Sequence, residues 1–274
     1  MKRFVILQTL LCTLFFCSVR GQNEHWDTYV AKFGGRPGSV LIDMGLMETA
    51  PDTRYPYLVI TGPRAQKCDK NGIPDKEEIN QLEEILGATS TFLMGVTPHV
   101  LAGTFTYNCE RLNYYYVKDT SAIRSAIRRL YNRTYKDYQF AINIKPDPEW
   151  KIYRTFLYPD DATLNWMDNE KIISGMAKNG DSLTKPREIN FDLYFYSDSA
   201  RSSFEEFAVT AGYKIKQRTT SNNKPVLYAL VVTKTSAIKL EELNKMTAEL
   251  KAEATKRHGY FSGWEGGVRP KAEK

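Results

Sequence analysis

Apolar positions in the first half of the chain switch repeatedly between two periods. Tyr55–Thr61, YPYLVIT, is a β-favouring run closed by Gly62-Pro63, and it predicts a strand. From Asp75 to Leu93 the apolar residues Ile79, Leu82, Ile85, Leu86, Phe92 and Leu93 fall near the 3.6-residue spacing of a helix with one buried face. HVLAGTFTY and RLNYYYV then predict two strands, with Asn108-Cys109-Glu110 between them as a hairpin connection. Ser121 to Tyr135 reads as a helix with Ile123, Ile127, Leu130 and Tyr131 on one face, and Tyr138–Ile144 as a last strand ended by Pro146 and Pro148. One extra strand, SVLIDMGL from Ser39, precedes the set.

The second half repeats the rhythm. In INFDLYF, Ile189, Phe191, Leu193 and Phe195 alternate onto one face. Asp198 is expected to cap a helix carrying Phe204, Phe207, Ala208 and Ala211, with Gly212 as its stop. YKIKQ and VLYALVVT flank SNN, a turn signal. A helix with Leu240, Leu243, Thr247, Leu250 and Ala254 on one face follows, and GYFSGW closes the unit. Both halves thus read β-α-β-β-α-β, which predicts an α+β protein of two ferredoxin-like (βαββαβ) domains, each an antiparallel sheet with helices on one face. The domains are expected over residues 22–150 and 151–274. They are joined by the proline-rich KPDPEW and a short helix with Ile172, Ile173 and Met176 inward, stopped by Gly180.

The N-terminus has a different character. Lys2 and Arg3 precede the uncharged run FVILQTLLCTLFFC, and Val19 and Gly21 stand at the small-residue positions of a cleavage site. This is the pattern of a secretory signal peptide over residues 1–21, cut near Gly21, and it implies a secreted or periplasmic protein without a stable membrane span. The formal net charge is +6, and loss of Lys2, Arg3 and Arg20 leaves +3, too mild to point to nucleic acid as partner. Cys12 and Cys17 leave with the leader, so Cys68 and Cys109 remain. A strand–helix–strand crossover makes the strands at 55–61 and 100–107 parallel, and each cysteine follows the C-terminal end of one of them. That placement suits a disulfide in an oxidising compartment, while two semi-buried thiols are the alternative in a reducing one.

Candidate chemistry is sparse. KCDKNGIPDKEE, from Lys67 to Glu78, sets Asp69, Asn71, Asp75 and Glu78 at calcium-loop positions around Gly72. Lys67 occupies the place of the first carboxylate and Pro74 lies inside the loop, so a helix start is the better reading, with Asp75, Glu77 and Glu78 in its first turn. FGGRPGS reads as a glycine-rich turn in preference to an anion cradle. His25, His99 and His258 show no grouping with a nucleophile, and no HExxH, GxSxG or P-loop pattern occurs. No catalytic residue, metal site or cofactor is expected. Two surfaces remain as possible interaction sites: the basic side Arg124, Arg128, Arg129 and Arg133, and the aromatic set Tyr260, Phe261 and Trp264, part of which suits a core strand.

The segment from Glu170, EKIISGMAKNGDSLTKPREINFDLYFYSDSARSSFEEFAVTAGYKI, and the closing GYFSGWE resemble the regulator of ribonuclease activity B family, inhibitors of ribonuclease E. GRPGSVLIDMGL, YPYLVITG, KNGIPDKEE and FLYPD resemble the bacterial domain-of-unknown-function family 695. Together the resemblances imply the two-unit fold, and the second-half family, which inhibits by binding without catalysis, implies a binding module. An exported, non-enzymatic binding or regulatory protein with a protein partner is the leading expectation. A ribonuclease E inhibitor-like regulator is the second. A hydrolase with an unrecognised site between the domains is the third, and a deep pocket holding His99 or His258 with carboxylates would favour it.

Overall fold

The structure is a computed structural model and describes residues 24–221 and 227–267. The leader expected over 1–21 and most of the SNN turn lie outside the described residues. The first unit runs β1 (Trp26–Phe33), β2 (Arg36–Asp43), β3 (Tyr57–Pro63), α1 (Lys76–Met94), β4 (His99–Tyr107), β5 (Glu110–Val117), α2 (Ile123–Thr134) and β6 (Phe140–Pro146). Its six-stranded sheet has the order β1-β2-β4-β5-β3-β6, every neighbour antiparallel. The four strands β4-β5-β3-β6 are the expected βαββαβ sheet, and a hairpin extends it at the β4 edge.

That hairpin corrects the expectation of one extra strand. FGGR supplies a two-residue turn in which Gly34 and Gly35 take φ of +55° and +85°, the left-handed pair that matches the twist of antiparallel strands. Asn108 and Cys109 do the same between β4 and β5, at +49° and +65°. Asp75 caps α1 by accepting from Glu78 N at 2.8 Å, as the helix-start reading of KCDKNGIPDKEE requires.

Helices α1 and α2 cover one face of this sheet, packing Ile85, Leu93, Ile123, Ile127 and Tyr131 on Val59, Tyr115 and Val117. The opposite face is covered too, by a 3-10 turn at Met44–Glu48 and by the segment 147–158, which straddles the expected boundary at 150/151 and ends in a π-helical turn, Tyr153–Leu157. Trp150 stacks on Tyr116 at 3.9 Å between ring centres. Asp147 accepts from the Tyr116 hydroxyl at 2.7 Å and from Lys151 N and Ile152 N at 2.9 and 3.0 Å. Two further hydroxyls bind across this face, Tyr153 to Asp43 O and Tyr29 to Leu157 O, each at 2.9 Å.

Helix α3 (Asp161–Lys178), capped by Asp160, leads into the second unit: β7 (Arg187–Phe195), α4 (Asp198–Thr210), β8 (Lys214–Thr220), β9 (Tyr228–Ser236), α5 (Leu240–Lys256) and β10 (Gly259–Glu265). The sheet order β10-β7-β9-β8 is again that of βαββαβ. Ser197, not Asp198, caps α4: Asp198 is already the first helical residue, and the Ser197 hydroxyl just before it accepts from Ala200 N at 3.1 Å. The inward row of β7, Ile189, Phe191, Leu193 and Phe195, is fully buried with Phe204, Leu243 and Leu250.

Helix α3 docks through a polar seam. Asn169 donates to Asn244 Oδ1 and Thr247 Oγ1 at 2.7 and 2.8 Å and accepts from Trp264 Nε1 at 2.7 Å. Met176 is buried as expected, whereas Ile172 and Ile173 are only partly so, and Asn165 and Asn169 occupy the buried row ahead of them.

Candidate functional site

Alternation in β7 decides what the second sheet offers to solvent. With every second residue buried beneath the helices, Glu188, Asn190, Asp192 and Tyr194 project from the face opposite the one that α4 and α5 cover. Cross-strand register puts Tyr194 opposite Tyr260 of β10. Their rings stack at 5.3 Å, and Tyr196 tilts against Tyr260 at 6.2 Å. Tyr196 and Tyr260 are 60% and 39% exposed, among the most open large apolar side chains described.

The rest of this face is polar and organised. Lys216 Nζ bridges Glu188 Oε1 and Asn190 Oδ1 at 2.7 and 2.8 Å, and Asn190 donates to Glu265 Oε1 at 2.9 Å. Desolvation raises the Asp192 carboxyl above its ordinary range, and the Glu265 charge raises it further. Such a group binds its proton more tightly in the fold than in the unfolded chain, so its contribution makes stability fall as pH rises through the carboxylate range. Asp192→Asn is therefore expected to raise the melting temperature near pH 7 and to leave it almost unchanged well below the ordinary carboxylate pKa of about 4. Equal shifts at both pH values would contradict this.

The expected aromatic set divides. Tyr260 is exposed, Phe261 is half-buried against the helix-covered core, and Trp264 is 6% exposed with its indole N–H committed to Asn169. Trp264 therefore leaves the candidate surface. A register shift between Phe261 and Gly263 keeps Phe261 and Trp264 on the core side. Tyr194 and Tyr196 join Tyr260 instead. Strict alternation in INFDLYF would have found Tyr194, since it is the polar-face partner of Phe195.

Arg124, Arg128, Arg129 and Arg133 all lie exposed along α2, a helix without a carboxylate of its own. Arg124 donates to Ile142 O at 3.3 Å, and Arg129 lies 5.5 Å over the Phe92 ring. They belong to the first unit and are not brought together with the tyrosines of the second.

Cys68 and Cys109 are joined, with Cα atoms 6.0 Å apart across 41 positions. The bond fastens the loop after β3 to the β4–β5 turn, where Cys109 N also donates to Gly72 O at 2.8 Å. Gly72 has φ +80°, and a Cβ there would lie 2.7 Å from Asn108 Cα. The carboxylates of KCDKNGIPDKEE serve backbone N–H groups: Asp69 those of Asn71 and Ile73, Asp75 that of Glu78, and Glu78 that of Gln66. Among the described residues no group of three or more potential metal ligands occurs.

The histidines are dispersed. His99 edges a shallow cavity of about 400 Å³ with Tyr55, Met94 and Val96, and no carboxylate lines it. His258 follows α5 with φ +53°. Among the described residues no helix is long and apolar enough to cross a membrane.

No curated protein matches the chain. Among solved structures, one provisionally described as a glycine cleavage system transcriptional repressor is 10% identical, with a TM-score of 0.23, covering 77% of this chain and 98% of its own. An unknown protein from Galdieria sulphuraria is 12% identical, with a TM-score of 0.22 and the same coverage. Scores this low carry no argument about fold or function. The family models are informative. Residues 24–158 match the family of unknown function DUF695, and residues 166–266 match regulator of ribonuclease activity B. The chain thus joins a unit of the DUF695 type to a unit of the regulator of ribonuclease activity B type.

Proposed function

We propose that this chain is an exported, non-enzymatic regulatory protein that acts by binding another protein through the open sheet face of its second unit. The observation that carries the reading is the match of that unit to a regulator family, together with a sheet face opposite α4 and α5 bearing Tyr194, Tyr196 and Tyr260. Tyrosine suits such a contact because it buries a large ring at little entropic cost and keeps a hydroxyl for the wet rim. The basic-to-apolar run of residues 1–21 supports export.

The test is affinity capture from cells producing the tagged chain, with the wild type and a Tyr194→Ala/Tyr260→Ala variant side by side. A saturable protein partner recovered by the wild type and lost by the variant is the expected result. Repeated recovery of no saturable partner, or equal recovery by both, overturns the reading. N-terminal sequencing of the processed chain tests export: a start at Gln22 supports it, and an intact Met1 in the cytoplasm removes it.

The family match favours a second reading, inhibition of ribonuclease E. It requires a chain that remains in the cytoplasm with that enzyme. Dose-dependent inhibition of purified ribonuclease E by the purified chain would support it, and unchanged cleavage at saturating chain would exclude it.

A further inference from the structure

β1 is the outer strand of the first sheet and pairs with β2 alone. Helix α3 runs beside its other edge. Between them lies a groove of about 760 Å³, lined by Tyr29, Val30, Ala31 and Lys32 on the strand and by Trp166 and Met167 on the helix. Past Thr28 and Met167 the groove continues into a section of about 490 Å³ that reaches His25 and Trp26. Consecutive strand residues line it. Successive side chains of a strand point to opposite faces, so the consecutive residues line it around the strand's edge, and Pro37 of β2 joins them at the Lys32 end.

An edge of this kind presents N–H and C=O groups without a strand partner at every second residue, here Trp26, Thr28, Val30 and Lys32, of which Thr28 N donates to Asp27 Oδ1 at 2.8 Å. Natural sheets blunt such rows with proline, charge or a covering element. The centre of β1, Thr28-Tyr29-Val30-Ala31, has no proline and no charge. Val30 is 69% exposed, and Trp166 across the groove is 43% exposed.

We propose that the β1–α3 groove binds an extended segment of a partner protein, which adds to the sheet as a further strand beside β1. Its alternate side chains would seat against Trp166 and Met167. The edge itself selects the occupant: outward backbone groups at every second residue of an eight-residue strand are satisfied by an extended chain, and neither a helix nor a small molecule matches that spacing. Glu170 and the α3 cap Asp160, which accepts from Thr163 N at 2.8 Å, stand on the helix side of the groove and Lys32 on the strand side, so the segment combines apolar residues at alternate positions with a basic residue opposite Glu170. This surface is separate from the open face of the second sheet and does not depend on the function proposed for it.

The probe is a random heptapeptide library displayed on phage and selected on the immobilised protein, followed by anisotropy titrations of the enriched peptides. Enriched sequences are expected to alternate apolar residues with basic or polar ones. Trp166→Ala is expected to weaken them on the order of 10–30-fold, with an unchanged melting temperature. Ala162→Arg, at the exposed mouth of the groove, is the second variant and is expected to weaken them similarly. N-methylation of alternate peptide nitrogens should abolish binding in one set of positions and spare it in the other, because only one set pairs with β1. The proposal is overturned if no sequence is enriched, if both variants bind as the wild type does, or if both N-methylated sets bind. Peptides lost with the Tyr194→Ala/Tyr260→Ala variant but not with Trp166→Ala would also overturn it, placing the contact on the other surface.

Discussion

Asp181→Ala is expected to destabilise the second unit by about 3–5 kcal/mol, the cost of removing one partner from a buried ion pair. The Arg187 and Asp181 side chains are 2% and 0% exposed. The guanidinium meets the carboxylate through two nitrogens, at 2.5 and 2.8 Å, and also donates to the carbonyls of Gly266 and Gly267 at 3.3 and 2.9 Å. Truncation leaves a buried cation without its counter-charge and loosens the chain beyond β10. Urea unfolding reads the loss directly. Because much of the cost is the stranded charge, Asp181→Leu combined with Arg187→Met is expected to recover most of it. A single substitution costing less than about 1 kcal/mol, the range of an exposed pair, would contradict this.

Removal of the Cys68–Cys109 bond is expected to cost the first unit about 3–4 kcal/mol in the chain-entropy treatment, given the 41-position separation it closes. The covalent link acts on a loop that hydrogen bonds already hold in place. Cys109 exchanges backbone bonds with this loop, accepting from Ala65 N at 2.7 Å and donating to Gly72 O at 2.8 Å. The native conformation should therefore survive reduction while the unfolded chain gains freedom. A reductant and the Cys68→Ser/Cys109→Ser variant are expected to lower the unfolding midpoint by the same amount. Quantitative reaction of both thiols in the folded, unreduced protein would contradict the bond, and an unchanged midpoint on reduction would contradict its contribution.

What could be read from the sequence followed the strength of the burial signal. Ile189, Phe191, Leu193 and Phe195 alternate without interruption, and they form the fully buried row of a central strand. Asp75 stands one position before α1 and caps it. β1 escaped because WDTYVAKF is an edge strand: Trp26, Thr28, Val30 and Lys32 are exposed, and only the intervening residues turn inward. A strand half in solvent and carrying Asp27 and Lys32 yields a weak pattern. The α3 seam escaped because apolarity was the guide, whereas Asn165 and Asn169 are buried by mutual hydrogen bonding with Asn244 and Thr247. The cover over the second face of the first sheet escaped for another reason. KPDPEW reads as a connection, and nothing local announces that Trp150 stacks on Tyr116.

The candidate surface was legible in part. Tyr260 was identifiable from its strand, but its companions Tyr194 and Tyr196 lie about 65 positions earlier and meet it only through the β7–β10 register. The arginine row on α2 was legible as a helix face and is exposed as one. Its position on a separate unit follows from the fold, not from its spacing.

The most direct measurement is equilibrium binding of the captured partner to the wild type and to the Tyr194→Ala/Tyr260→Ala variant, with thermal melts of both. Loss of the stacked cross-strand pair should cost the fold only about 0.2–1 kcal/mol, while binding weakens on the order of 30-fold or more if these rings are the anchors. Equal affinities for two folded proteins would place the contact elsewhere and contradict the open sheet face as the regulatory surface.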